Sequence, residues 1–221
     1  YHVRSFGLVL TFDIDWWWKF QDEISTQFNF SRIREDVATR LVSRLNFSKS
    51  PIRPFFENRD IIIVGAGLTK SSKFPSSNLL VADGALRACL ELDIIPEWII
   101  TDLDGYIPDI LWASQNGSKT ILHAHGDNIS RVNQYSDQIN PTCITTTYPS
   151  PFSSCWGGFT DGDRSVMMCL SLDCKSIRLE GFHFDKVGSF SGEYSPHKLK
   201  KLKWAKKIIN ECQNRSSSII F

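Results

Sequence analysis

Asp60-Ile61-Ile62-Ile63-Val64-Gly65-Ala66-Gly67 sets the reading of this chain, because four β-branched residues run unbroken into a turn built with glycine. A strand with one wet face would alternate apolar and polar residues, whereas an unbroken run expects burial on both faces, as in a parallel sheet. Similar runs lie near residues 78–82, 97–101, 120–124, 142–147 and 176–180, with Ile219-Ile220-Phe221 as a last one. Helical spacing falls between several of them: Leu86, Cys89, Leu90 and Leu92; Val166, Met167, Leu170 and Leu172; and Leu199, Leu202, Ala205, Ile209 and Cys212. Ser195-Pro196 opens the last of these as cap and first helical position. The alternation predicts an α/β chain with a doubly wound, mostly parallel, Rossmann-like sheet. In such sheets ligands sit at the carboxyl ends of the strands.

The first 55 residues differ in texture and are expected to form a small, aromatic-rich helical segment ahead of an α/β unit spanning 56–221. Asp15 is the expected cap of a helix using Trp17, Phe20, Ile24 and Phe28, and Ser31 opens a second with Ile33, Val37, Leu41 and Leu45 on one face. Pro51 and Pro54 then break the pattern. Trp16-Trp17-Trp18 cannot all face one side of a helix, so part of the cluster is expected to cover the main domain, meet a partner subunit or lid a pocket. A homo-oligomer through these helices is the corresponding expectation.

Twenty-five basic against 24 acidic residues leave a formal charge of +1, so nothing draws the whole chain to nucleic acid or an anionic membrane. No apolar run approaches the ~20 residues that cross a bilayer. Tyr1-His2-Val3-Arg4 does not read as a signal peptide, and a cytoplasmic place is expected. The six cysteines are scattered without a CxxC pair and read as buried small hydrophobes.

Five polar motifs follow apolar runs: Gly65-Ala66-Gly67, Asp83-Gly84, Asp102-Leu103-Asp104-Gly105, His123-Ala124-His125-Gly126-Asp127-Asn128 and Gly181-Phe182-His183-Phe184-Asp185. Gly65 and Gly67 begin a dinucleotide-type fingerprint whose third glycine position holds Lys70; their amides can approach phosphate, and Lys70 or Lys73 adds a positive charge. Asp102 and Asp104 flank Leu103, so in extended backbone both carboxylates point one way, a site for a hard cation such as Mg²⁺. Asp83 and Asp127 are the expected further members. His123 and His125, at i and i+2, read as a core residue and a phosphate or base contact in preference to a zinc pair. In Gly157-Gly158-Phe159-Thr160-Asp161-Gly162-Asp163-Arg164, Thr160 or Asp161 caps a helix, Arg164 can fork onto phosphate, and Asp161 or Asp163 can accept paired N–H donors from a heterocycle stacked on Phe159 or Trp156. The lysines from Lys198 to Lys207 read as a solvated helix face.

Ala82-Asp83-Gly84 followed by Pro96 and Asp102-Leu103-Asp104 resembles the core of thiamin pyrophosphokinases. The continuation through His123–Asn128, Gly157–Arg164 and Leu199-Lys200-Lys201-Leu202-Lys203 resembles the archaeal 6-hydroxymethyl-7,8-dihydropterin pyrophosphokinases, which share that fold; the resemblance covers most of residues 60–210. It implies a thiamin pyrophosphokinase-like catalytic fold and transfer of diphosphate from ATP to a reduced pterin, releasing AMP, on a route to folate or methanopterin-type cofactors. Asp83, Asp102, Asp104 and Asp127 then form the catalytic set, with Mg²⁺ on Asp102, Asp104 and Asp127, and Asp83 or Asp127 as proton acceptor. Gly65, Gly67, Lys70, His125, Asn128 and Arg164 serve the nucleotide, and Phe159, Thr160, Asp161 and Asp163 the pterin. The alternatives are a thiamin pyrophosphokinase, a sugar-nucleotide glycosyltransferase related to flagellin-modifying factors, and a non-catalytic nucleotide-binding assembly module.

Overall fold

The structure, a computed structural model, describes residues 12–45, 51–69, 75–188, 190 and 195–220. Among them β1 (Asp60–Val64), β2 (Leu79–Ala82), β3 (Trp98–Thr101), β4 (Lys119–Ala124), β5 (Cys143–Thr146), β6 (Ser176–Glu180) and β7 (Ile219–Ile220) form one sheet. Its order is β5-β4-β3-β2-β1-β6-β7, with every pairing parallel. Each expected strand is present; Phe221 lies outside the described residues. The helices are α1 (Trp17–Phe28), α2 (Arg32–Val42), α3 (Leu86–Leu90), α4 (Ile107–Gln115), α5 (Ile129–Ile139), α6 (Asp161–Ser171) and α7 (Pro196–Arg215). The chain runs outward from β1 to β5, returns through α6 to β6 beside β1, and leaves on the other side to β7. The carboxyl ends of β1 and β6 are therefore the topological switch point.

Burial on both faces explains the unbroken runs. Ile61 and Ile63 belong to a core completed by α1, α6 and α7, while Ile62 and Val64 belong to a second with α3, α4 and α5. Leu80 against Leu79 and Val81, Ile100 against Ile99, and Ile121 against Leu122 divide in the same way. Such double coverage is how a doubly wound sheet removes its apolar residues from water.

The N-terminal helices join both cores: Trp17 and Ile24 of α1 lie in the first, and Val42 of α2 in the second. Trp17 is fully buried, Trp16 meets it edge-on, and Trp18 lies parallel to Tyr148 with ring centroids 6.2 Å apart, so the cluster covers the main body. Helix α1 does not use Asp15 as its cap; the cap position is Trp16, without a side-chain bond, and Asp15 instead donates its N–H to Asp13. Ser31 caps α2 as expected, accepting the Arg34 N–H. The face that α2 buries is Glu35, Ala38 and Val42, and Ile33 is left 74% exposed. Five of the six cysteines are buried, as expected of small hydrophobes. No helix among the described residues is long and apolar enough to cross a membrane.

Candidate active site

Asp83, Asp102 and Asp104, at the ends of β2 and β3, each present a carboxylate oxygen within 4.8 Å of the others. Asp83 is buried; its Oδ2 accepts from the Thr101 hydroxyl at 2.5 Å and from the Gly105 N–H at 3.2 Å. Its Oδ1 is buried without a hydrogen-bond partner among the described residues. Residue 105 must be glycine here, because a Cβ would stand 1.7 Å from that oxygen. Asp102 and Asp104 converge by a route other than the expected strand alternation. Leu103 is left-handed, with φ of 65°, an uncommon conformation for a side-chain-bearing residue. Its fully buried side chain and its N–H bond to the Thr101 hydroxyl at 2.8 Å hold it there.

Three close acids share their charge unequally. Burial pushes Asp83 up to about 7, with Asp102 and Asp104 adding to the rise and the Thr101 and Gly105 bonds opposing it. Asp104, at the rim, is raised to about 6 by desolvation and by Asp102. Desolvation alone would raise Asp102 too, but His125 foremost, then Asp104 and Lys201, hold it well below the usual carboxylate range. An all-oxygen donor set with an orphaned buried oxygen and mutual repulsion fits a hard divalent cation such as Mg²⁺.

Asp127, the fourth expected member, lies apart. It is exposed, with its Oδ1 3.7 Å from Arg34 Nε. Its neighbours in the motif shape the site instead. His125 Nε2 stands 3.6 Å from Asp102 Oδ2. Asn128 is buried and fully engaged: its Nδ2 donates to the carbonyls of Asp102 and His123, both at 2.7 Å, and its Oδ1 accepts the His125 N–H at 2.9 Å. Asn128 thus positions Asp102, with both amide hydrogens spent on backbone carbonyls. His123 is a core residue, its Nδ1 2.9 Å from the Thr145 hydroxyl and burial driving its pKa well down.

The loop before α6 uses two expected ligand-binding side chains to fold itself. Asp163, fully buried, accepts the Phe159 N–H at 2.5 Å on Oδ1, and the Thr160 N–H and hydroxyl at 3.0 and 2.6 Å on Oδ2. That reach back to the N-cap is half of a capping box, and it fills the carboxylate that was expected to meet a heterocycle. Buried Arg164 donates to the carbonyls of Gly157 at 3.2 Å and Phe159 at 3.3 Å, so its fork grips the loop in place of a phosphate. Thr160 is the N-cap. Asp161 is different: burial, then Asp102, Asp83 and Asp104, raise it well above the ordinary range, while Arg164 opposes. It is the acid of this loop that feels the charge of the cluster. Phe159 packs on Phe28 with ring centroids 4.8 Å apart, bringing α1 to the same place.

Gly65 and Gly67 lie at the switch point, with their amides already engaged: Gly65 N–H donates to the Glu180 carbonyl and Gly67 N–H to the Gly181 carbonyl, both at 2.8 Å. A Cβ on Gly67 would stand 2.5 Å from the Gly181 oxygen, so glycine here permits contact between two strand-end loops. Lys70 and Lys73 lie outside the described residues.

Two cations join the acids: Lys201, expected on a solvated helix face, and Arg131, which sequence did not single out. Lys201 draws down both Asp102 and Asp104, and Arg131 draws down Asp104. Lys201 Nζ also sits 5.7 Å from the Phe159 ring centre, linking the acids to the aromatic loop. A signal existed: Lys198 and Lys201 continue the buried stripe Ala205, Ile208 and Cys212 at helical spacing, whereas Lys200, Lys203, Lys206 and Lys207 are exposed.

A family model described as 6-hydroxymethylpterin diphosphokinase MptE-like matches residues 38–187. The 6-hydroxymethyl-7,8-dihydropterin pyrophosphokinase of Methanothermobacter thermautotrophicus is 34% identical over 169 residues, covering 68% of this chain and 72% of that protein. The identically named protein of Pyrococcus furiosus is 34% identical over 175 residues, covering 72% and 74%. That of Methanocaldococcus jannaschii is 28% identical over 236 residues, covering 92% and 97%. These matches agree with the pterin resemblance and not with its thiamin or glycosyltransferase alternatives.

Proposed function

Because the chain belongs to the MptE-like family of 6-hydroxymethylpterin diphosphokinases, we propose that it transfers diphosphate from ATP to 6-hydroxymethyl-7,8-dihydropterin and releases AMP. The observation that carries the chemistry is the group of three carboxylates at the ends of β2 and β3, one with a buried oxygen that has no partner among the described residues.

In this reading the hydroxymethyl oxygen forms a bond to the β-phosphorus of ATP. The bond from that phosphorus to the oxygen bridging α and β breaks, and AMP departs with the electron pair. Asp83, Asp102 and Asp104 would hold Mg²⁺. When bound, the cation neutralises triphosphate oxygens and eases departure of AMP. His125 keeps Asp102 ionised for that task. Lys201 and Arg131 supply positive charge beside the acids and suit the phosphates. Phe159 offers the stacking face for the pterin ring. Asp161, held above the ordinary carboxylate range between that loop and the cluster, takes the hydroxymethyl proton. Cytoplasmic biosynthesis of a folate or methanopterin-type cofactor is the corresponding role, and exposed Ile33 and Val37 on α2 suit a homo-oligomer through the N-terminal helices. Light scattering tests that contact: twice the chain mass agrees with it, and a single chain rules it out.

The reaction is tested by incubating the protein with ATP, Mg²⁺ and the dihydropterin and quantifying products by mass spectrometry. AMP and pterin diphosphate should form one for one, and chelation should stop both. ADP formation, or no product, would contradict the proposal.

A further inference from the structure

The peptide of Gly126 is gripped from both sides by a helix roughly ninety residues earlier in the chain. Its N–H donates to Glu35 Oε1 at 3.0 Å, and its carbonyl accepts from Arg34 Nε at 2.8 Å. Glu35 is 6% exposed, an unusual place for a carboxylate unless it satisfies a specific donor. The approach is so close that a Cβ on residue 126 would stand 2.8 Å from Arg34 Cβ. Arg34 further lies 3.7 Å from the Asp127 carboxylate. On the preceding residue, the His125 N–H is held by Asn128, whose amide also holds the Asp102 carbonyl. His125 therefore hangs between two anchors, one within its own loop and one on α2, and its imidazole faces Asp102 from there.

On the diphosphate-transfer reading above, we infer that Arg34 and Glu35 are positioning residues: they fix the Gly126 peptide and hence the placement of His125 against Asp102. Helix α2, in a segment without a catalytic motif of its own, thereby becomes part of the active site. Misplacement of a reacting arrangement by about 1 Å can cost up to about a hundredfold in rate. Loosening this clamp therefore lowers turnover without touching the pterin's own contacts.

The test compares Arg34→Ala, Glu35→Ala and Glu35→Gln in the full chain, by steady-state kinetics and by amide hydrogen exchange. Glutamine keeps an acceptor oxygen for the Gly126 N–H, and Arg34, being exposed, can be truncated without opening the core. Arg34→Ala and Glu35→Ala should each lower kcat about tenfold or more while the KM for the dihydropterin moves less than about twofold. Exchange at 125–127 should quicken with the β-strand amides unchanged, and Glu35→Gln should restore kcat to within about threefold of the parent. Unchanged kcat in both alanine variants would overturn the inference, as would a loss accompanied by faster exchange throughout the sheet. Should the parent protein release no AMP, the diphosphate-transfer reading fails by itself, and the clamp is then decided by exchange at 125–127: no change in either alanine variant overturns it.

Discussion

Asp83 keeps a buried carboxylate oxygen without a partner among the described residues, and burial raises its pKa to about 7. A carboxyl whose folded pKa lies above its unfolded value binds more protons folded than unfolded between the two. Its contribution opposes stability increasingly as pH rises from about 4 through about 7. Asp83→Asn should therefore raise the Tm of metal-free protein. The gain should be near zero around pH 4 and reach about 2–8 °C above pH 7, taking about 1–2 kcal/mol for the relieved repulsion. Mg²⁺ should stabilise the parent more than the variant. A gain that shrinks as pH rises in thermal melts would contradict the clustered geometry. Replacing both Asp102 and Asp104 with Asn should leave the fold intact and remove turnover together with Mn²⁺ binding measured by titration calorimetry. More than about a tenth of the parental rate in that double variant would sink the metal assignment. The acids were legible because they follow apolar runs; the way they meet was not, since nothing local announces a left-handed Leu103, which depends on a buried side chain and the Thr101 hydroxyl.

At the scale of elements, the strands could be read from sequence because double-sided burial leaves an unbroken apolar run. Helix α2 shows where such reading stops. Its spacing points to Ile33, Val37 and Leu41, yet the buried positions include Glu35, whose carboxylate serves Gly126 across 91 residues of sequence. Periodicity ranks residues by polarity and cannot foresee a distant amide that needs an acceptor. The loop before α6 is a parallel case: Asp163 and Arg164 looked like ligand-binding groups and are spent on loop backbone and on Thr160. Arg164→Lys should therefore act mainly on the loop. One ammonium cannot reach both carbonyls, and leaving one buried and unpaired costs about 1–3 kcal/mol. Lower thermal stability and a raised KM for the dihydropterin are expected, with the KM for ATP little changed. The opposite pattern, a raised KM for ATP alone, would return Arg164 to the phosphates.

Over the whole molecule, the all-parallel sheet gathers the ends of β2, β3 and β4 along one edge, and α6 and α7 bring Asp161, Phe159 and Lys201 to that edge from one face. A net charge of +1 leaves substrate capture to this local field. Lys201→Met should consequently raise the KM for ATP several-fold, with the Tm within about 2 °C because the residue lies near the helix start and only partly buried. Unaltered kinetics would make Lys201 a purely structural contact with Phe159. The metal edge sees only phosphates, whereas the loop before α6 must tell one acceptor ring from another. With Asp163 spent on its own loop, Asp161 is the carboxylate there that meets the acceptor, and a ring that leaves it unpaired beside the other acids is rejected. The most direct measurement is kcat/KM for AMP release with 6-hydroxymethyl-7,8-dihydropterin and with thiamin, side by side with ATP and Mg²⁺. The account predicts that the dihydropterin is preferred by at least about a thousandfold. Equal rates, or a preference for thiamin, would contradict it.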